Sequence, residues 1–437
     1  MTNTADDVVA ATAAERLAAN TTTLPTPDKV SAGFLTAAVF LQLSVAVSAV
    51  GLALVAWPLV IAKLEPDNKI LYLSVVTGLV AAVAVILTPL CGALSDRCTW
   101  RMGMRKPFIV FGSLITVAGL LLMGAASNIQ LMIMGAVVYA IGNSALTSAT
   151  WVLIPDQVPV YFRSRAQGFM MGTIAISGLV ASIFFPLLIG NQFVLFAVPA
   201  AIKVVAVVLV LILLKDRKLS REDAPERLTA RSFVQQFKFS PRAVPDFSWA
   251  WAAKVTFIFG TVLGSTYGVY LLTDKIGVAP DELAGVLQLN GLLGLATALG
   301  GAIFGGWLSD KIGRRKSLVV LAALMFAIGA VTVAFAPSVL VFIVGSAFMG
   351  LGSGLHSPVD GALAIDLLPG EGKESGKYMS VMAVGDQLPR AIGPFVGTAI
   401  IALGAVTVVG GYTVAYLIAA GAAVLASVMI FRIKGSR

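Results

Sequence analysis

The sequence predicts an all-α polytopic membrane protein, with twelve transmembrane helices arranged as two six-helix bundles. Three observations lead there. Of 437 residues, 58% are hydrophobic and only 12% are charged, against about 25% charged in an ordinary soluble domain. Mean hydropathy is +0.92. Apolar runs of about 20 residues, the length that crosses a ~30 Å hydrocarbon core, recur twelve times, and a long polar stretch separates the first six from the last six. A surface so poor in charge does not keep a globule in water. This excludes a soluble enzyme, a nucleic-acid reader and a disordered scaffold. The 31 basic against 22 acidic residues give +9, but the excess lies between apolar runs, where membrane topology accounts for it.

In chain order, residues 1–32 are rich in Ala and Thr and carry Asp6, Asp7 and Glu15. They lack the basic start and apolar centre of a secretory signal and read as a cytoplasmic tail. The first bundle, 33–214, holds spans at 33–62, 70–95, 107–126, 130–153, 167–189 and 193–214; the third and fourth are joined by little more than Ser127 and Asn128. A central loop, 215–247, carries eight basic and five acidic residues, and part of it is expected to form an amphipathic surface helix. The second bundle, 248–432, holds spans at 248–272, 283–309, 316–336, 338–364, 377–403 and 412–431, and a tail at 433–437 follows. Placing both termini and the even-to-odd loops on one side collects 25 of the 31 basic residues there. Lys63, Lys69 and Lys275 fall opposite, and Lys203, Lys254 and Arg390 fall inside spans. Positive segments stay cytoplasmic, so both termini are expected in the cytoplasm, in a bacterial-type inner or plasma membrane. Cys91 and Cys98 then sit at the cytoplasmic edge, where thiols stay reduced.

The two halves repeat. Gly92-Ala-Leu-Ser-Asp96-Arg97 after the second span answers to Gly306-Trp-Leu-Ser-Asp310-Lys311 after the eighth. Four additional residues in the first copy precede Gly103, which stands 210 residues before Gly313. The same offset relates Gly142 to Gly352, Asp156 to Asp366, Pro159 to Pro369 and Arg163 to Lys373. These residues resemble the major facilitator superfamily of secondary transporters, whose signature G-x-x-x-D-(R/K)-x-G-R-(R/K) is met almost fully between Gly306 and Lys316. The insertion, S-D-R-x-x-x-R-x-G-x-R-x-P-F, is similar to that of the sucrose and glycoside–cation symporter branches. The acidic residues those symporters carry in their first two helices are absent here.

The signature reads physically as a latch. A loop glycine lets two helices approach, while the Asp faces the free N–H groups and positive dipole of a neighbouring helix start. The expected cytoplasmic gate is Gly92, Asp96, Arg97, Arg101, Arg105, Asp156 and Arg163 in the first half. In the second half it is Gly306, Asp310, Lys311, Arg314 and Asp366.

Ionisable groups at bilayer depth are functional candidates. Asp386 lies about ten residues into its span, so ~15 Å deep, with Arg390 one turn on, on the same face. Two readings stay open: an Asp–Arg pair that neutralises itself, or a proton-coupling carboxylate tuned by the Arg. His356 and Asp360 form a candidate proton relay, against a packing role for the histidine and a gate role for the aspartate. Lys203, mid-span, should face the cavity or pair with an acid. Lys254, about six residues into its span, is expected to snorkel to the headgroups. Gln42, Asn143, Gln288 and Asn290 are candidate partners of a hydroxylated substrate or interhelical glue. Tyr267 and Tyr270 fit the outer cavity or the interfacial belt.

No phosphate-cradling G-x-x-x-x-G-K-(S/T), metal-ligand set or nucleophile–base motif is visible, so no cofactor and no enzymatic activity are expected. The fifth span lacks the Gly-Pro pair of many drug–proton antiporters; Gly393-Pro394 occurs in the eleventh. The expected function is proton-coupled symport of a small polar solute, a sugar or glycoside, by a monomer in lipid. A proton-driven exporter and a transporter-like solute sensor are the alternatives; exchange in sealed vesicles separates a transporter from a sensor.

Overall fold

The computed structural model describes residues 31–158, 160–214, 216, 218–219, 241–242, 244–312, 315–367 and 375–433. The expected N-terminal tail and the surface helix of the central loop lie almost wholly outside them. The described chain is helical throughout, in twelve long elements. The first half comprises α1 (Ala32–Leu64), α2 (Lys69–Ser95), α3 (Lys106–Gly124), α4 (Ile129–Gln157), α5 (Val160–Leu187) and α6 (Gln192–Leu213). The second comprises α7 (Pro245–Thr266), α8 (Pro280–Ile312), α9 (Arg315–Ala334), α10 (Val339–Asp366), α11 (Ser375–Gly404) and α12 (Gly411–Ile430). Ten of these are long and apolar enough to cross a membrane. The other two are α5, in which Gly172–Leu187 forms a shorter apolar stretch among the described residues, and α11, which carries Lys377, Asp386 and Arg390.

Local chemistry marks the helix ends. Asn128 and Asn191 accept hydrogen bonds from the N–H groups of Leu131 and Val194, satisfying donors that a helix start leaves free. Pro107 and Pro245 stand in first turns, where a missing N–H costs nothing. Beyond α7 the chain continues through Gly268–Tyr270 and a π-helical turn, Leu271–Ile276. It stops at Gly277, whose φ of +79° favours glycine. A second π-helical turn, Leu52–Ala56, interrupts α1.

Packing reproduces the sequence repeat helix for helix. In the first half α1 packs on α5 and α6, α3 on α4 and α6, and α2 on α4; in the second α7 packs on α11 and α12, α9 on α10 and α12, and α8 on α10. A Cβ on Gly142 would strike the backbone of Gly112 and Thr116, and one on Gly352 would strike that of Ala322 and Phe326, each 210 residues on. Gly119 against Tyr139 and Gly329 against Met349 repeat the relation. Lipid tails are as apolar as the side chains, so helices associate through such close packing rather than through exclusion of water. The two six-helix bundles meet along α2 with α11 and α5 with α8, pairs that the repeat also exchanges.

Candidate functional site

Between the halves lies a cavity of about 750 Å³, bordered by α1, α5 and α7 to α12. Its lining is mostly apolar, with Leu54, Ile174, Leu295, Phe326, Phe342 and Met349 among it, and Ser182, Thr261, Ser265, Ser346, Ser353 and Ser357 add hydroxyls. Asn290 lines it, and its Oδ1 has no hydrogen-bond partner among the described residues. Arg390 is the one charged residue among the described lining. The volume falls within the roughly 300–1,000 Å³ typical of small-molecule sites.

One helical turn toward the chain termini from Ser357 and Arg390 stands an ion triad. Lys254 Nζ on α7 lies 3.1 Å from Asp360 Oδ2 on α10 and 3.0 Å from Asp386 Oδ2 on α11. The lysine and Asp360 are 11% and 10% exposed, whereas Asp386 is 40% exposed. Two carboxylates therefore share one cation, and the less buried of them can exchange with solvent. This corrects two expectations. Lys254 does not snorkel, because α10 and α11 each bring a carboxylate to it. Asp386 is not neutralised by Arg390 one turn away; it faces α7 and the lysine there. His356, one turn before Asp360, is buried and stacked on Phe257, with ring centroids 3.8 Å apart.

On the face opposite the termini the halves are tied together. Lys69, opening α2, lies 2.6 Å from Asp274 beyond α7, and Asp274 also accepts from Tyr412 of α12 at 2.7 Å and from Thr273 at 2.9 Å. Burial pushes the Asp274 carboxyl up, but the hydrogen bonds from Lys69, Tyr412 and Thr273 outweigh it and hold the group below its ordinary value. Beneath this cluster Tyr270 donates to the Pro58 carbonyl at 2.9 Å. Tyr267 donates to the Pro394 carbonyl at 2.6 Å and shares a hydrogen bond with Ser74, which in turn meets Thr398. Both tyrosines are about 1% exposed. They belong neither to an interfacial belt nor to a wet outer cavity, but to the seam between bundles. Gln288 is also part of the seam, donating to the Ile183 carbonyl at 2.9 Å. Lys275 is bound to the Ala334 carbonyl and Thr413, and burial lowers its affinity for a proton.

Other expected cavity residues lie elsewhere. Lys203 is fully buried inside the first bundle, its Nζ 3.1 Å from the Ser44 carbonyl of α1; it faces neither the cavity nor an acid. Gln42 and Asn143 are absent from the described cavity lining, and the side-chain oxygen of each is buried without a partner among the described residues.

At the terminal face, Asp96 pairs with Arg105 at 2.6 Å, and Arg105 also binds Ser95. Arg97 donates to the Ala93 carbonyl, and Lys311 lies over the Trp307 ring. Arg101 is exposed; a Cβ on Gly92 would only touch Ser148, and one on Gly306 would meet nothing. The side chains of Asp156, Arg163, Asp310, Arg314 and Asp366 lie outside the described residues. Sequence reasoning missed Asp216, just past α6, which accepts from the N–H groups of Arg105 and Lys106 at 2.6 and 2.8 Å. It caps the positive start of α3 and packs on Gly103, whose φ is +110°. Asp216 follows an apolar span by two residues, a position that only contact with α3 distinguishes from loop charge.

The family model of the Major Facilitator Superfamily matches residues 34–303 and 255–436. Inositol transporter 4 of Arabidopsis thaliana is 48% identical over 100 residues, 23% of this chain and 17% of that protein. The major myo-inositol transporter IolT of Bacillus subtilis is 31% identical over 132 residues, 28% of each chain. The galactose-proton symporter of Escherichia coli matches at 32% over 119 residues, 27% of this chain and 25% of its own length. The chain thus spans under a third of the length of these relatives. Among solved structures, a peptide transporter bound to sulfate aligns at TM-score 0.72 with 15% identity, covering 94% of this chain and 96% of that one. A bacterial homologue of the lysosomal transporter Spinster aligns at 0.71 with 16% identity, over 92% and 98%. With the family model covering both halves and the repeat visible in their packing, the chain belongs to the Major Facilitator Superfamily as a multi-pass integral membrane protein.

Proposed function

We propose that the protein is a secondary transporter that carries a small hydroxylated solute together with a proton. The observation that carries this reading is the triad Lys254–Asp360–Asp386 one turn from the cavity. One lysine offsets one carboxylate, so the remaining negative charge is a binding site for one proton in a place where unpaired charge is costly. Binding that proton leaves a neutral group of three, which crosses a rocking interface at lower cost than a charged one. The solute sits against Asn290 and the serines, whose donors and acceptors replace its water. The names of the matched relatives, which include inositol transporters and a galactose-proton symporter, support the same class of cargo.

The charge asymmetry of the loops supports placing the termini in the cytoplasm. The Lys69–Asp274 seam then closes the outer side, and the conformation described is one in which solute leaves or enters from within. Reorientation breaks the outer seam and closes the Asp96–Arg105 face. Proteoliposomes with an imposed pH gradient, loaded with labelled sugars, polyols and their derivatives, test the reading. Asp386→Asn should abolish accumulation driven by the gradient and retain counterflow, since exchange needs no net proton movement. Counterflow and accumulation lost or kept together would remove Asp386 from coupling.

A further inference from the structure

We propose that the cavity is built for a hydroxylated carboxylate, a sugar acid rather than a neutral sugar. The inference deepens the transport reading above and rests on it. Arg390 lines the cavity, is exposed, and has no ion pair among the described residues. Its obvious partner, Asp386 one turn before it on α11, is committed to Lys254, and no carboxylate belongs to the described lining. A guanidinium at mid-membrane without a counter-ion is costly. Once the triad has taken up its proton, the region around Arg390 is left with one net positive charge, and a solute carboxylate balances it.

The charge count selects the class of anion. One planar guanidinium matches one planar carboxylate through two parallel hydrogen bonds. A phosphate ester, with close to two charges, needs a second cation. Lys203 is sealed in the first bundle against Ser44, and Lys254 is held by two acids. The rest of the lining fits the other end of such a molecule. The serines of α5, α7 and α10 offer both donors and acceptors to the solute hydroxyls.

This assignment has an energetic consequence that a neutral cargo does not share. A monoanion moving with one proton carries no net charge, so a pH gradient drives it and a membrane potential does not. A neutral solute moving with one proton responds to both, with a potential worth about 2.3 kcal/mol per 100 mV.

The test uses the full-length protein in proteoliposomes, with D-glucuronate and D-gluconate as acid probes and D-glucose and myo-inositol as neutral counterparts. The acids should compete in counterflow at least tenfold better than the neutral compounds. Their accumulation should follow an imposed pH gradient at zero potential and not a potassium diffusion potential at equal pH. Arg390→Gln should drive the acid-to-neutral preference toward one, and Arg390→Lys should restore part of it. Neutral compounds favoured over acids, with uptake driven by the potential, would overturn the carboxylate assignment and leave proton symport standing. Exchange of none of the four would count against this inference and the transport reading together. If Arg390→Gln does not fold, the wild-type competition and the response to potential still decide.

Discussion

Lys254 shows how one side chain becomes necessary through its neighbours. Asp386→Asn and Asp360→Asn each leave the lysine with one carboxylate, so each variant should fold close to normally. Lys254→Gln leaves two carboxylates facing each other with no cation, and breaking a buried pair in this way typically costs ~3–5 kcal/mol. Thermal unfolding in detergent should therefore rank Lys254→Gln well below either aspartate variant. The double change with Asp360→Asn should recover most of the loss. Equal melting of all three single variants would remove the triad as a unit. Arg390→Gln should not rescue any of them, because Arg390 is not the partner. Asp274 gives the pH dependence at this scale. Its carboxyl is held below its ordinary value near 3.8 by Lys69, Tyr412 and Thr273. A depressed carboxylate stabilises fully above its unfolded value and ceases to do so as pH falls through its lower folded value. The outer seam should therefore be insensitive to pH between 5 and 8 and weaken only below about 4, as hydrogen exchange at the α7–α8 turn would report. Loss of protection already at pH 6 would place the control elsewhere.

Among the elements, the contact between bundles depends on residues without side chains. A Cβ on Gly291 of α8 would overlap Ser182 of α5, and one on Gly78 of α2 would overlap the Phe395 ring of α11. These close approaches belong to the seam, not to the interior of either bundle. Gly291→Val and Gly78→Leu should therefore leave each bundle folded and hold the outer side apart. Cysteines placed at 69 and 274 in these variants should crosslink less than in an otherwise unchanged protein. Gly142→Leu or Gly352→Leu should behave differently, because those glycines lie inside the α3–α4 and α9–α10 pairs; overpacking there typically costs ~1–3 kcal/mol or more and should lower yield and melting temperature. Similar crosslinking and stability in all four would show that the two kinds of glycine contact are not distinct.

For the whole molecule, the seam and the triad lie on opposite sides of the cavity, and the proposed transport cycle requires opening of one to follow loading at the other. On the face opposite the termini, the described residues join the halves through one ion pair, Lys69–Asp274, and through tyrosine hydrogen bonds. An exposed pair of this kind contributes up to ~1 kcal/mol, which at 1.4 kcal/mol per decade is about a fivefold population shift. Lys69→Gln should move the resting population toward the outward-open state by about that factor, read from distances between spin labels on the outer ends of α2 and α7. An unchanged distribution would assign closure to the tyrosines alone.

The fold was legible in the sequence because bilayer thickness fixes span length and a 210-residue repeat declares two equal halves. Asp96 and Arg105 were singled out by their motif, and Asp360, Asp386 and Arg390 by the cost of charge at depth. What the sequence left open was pairing. Asp386 has Arg390 one turn away along the chain, yet it binds Lys254, 132 positions distant, because the packing of α7 against α11 brings these faces together. Lys203 looked like a cavity residue until the rotation of α6 turned it onto α1. Tyr267, Tyr270 and Gln288 looked like solute contacts until the closure of α2, α5, α7, α8 and α11 made them a seam. Span length and charge are properties of a segment, so they can be read along the chain. Which face of a helix meets which neighbour depends on helix rotation and crossing, and these are set only when all twelve helices pack.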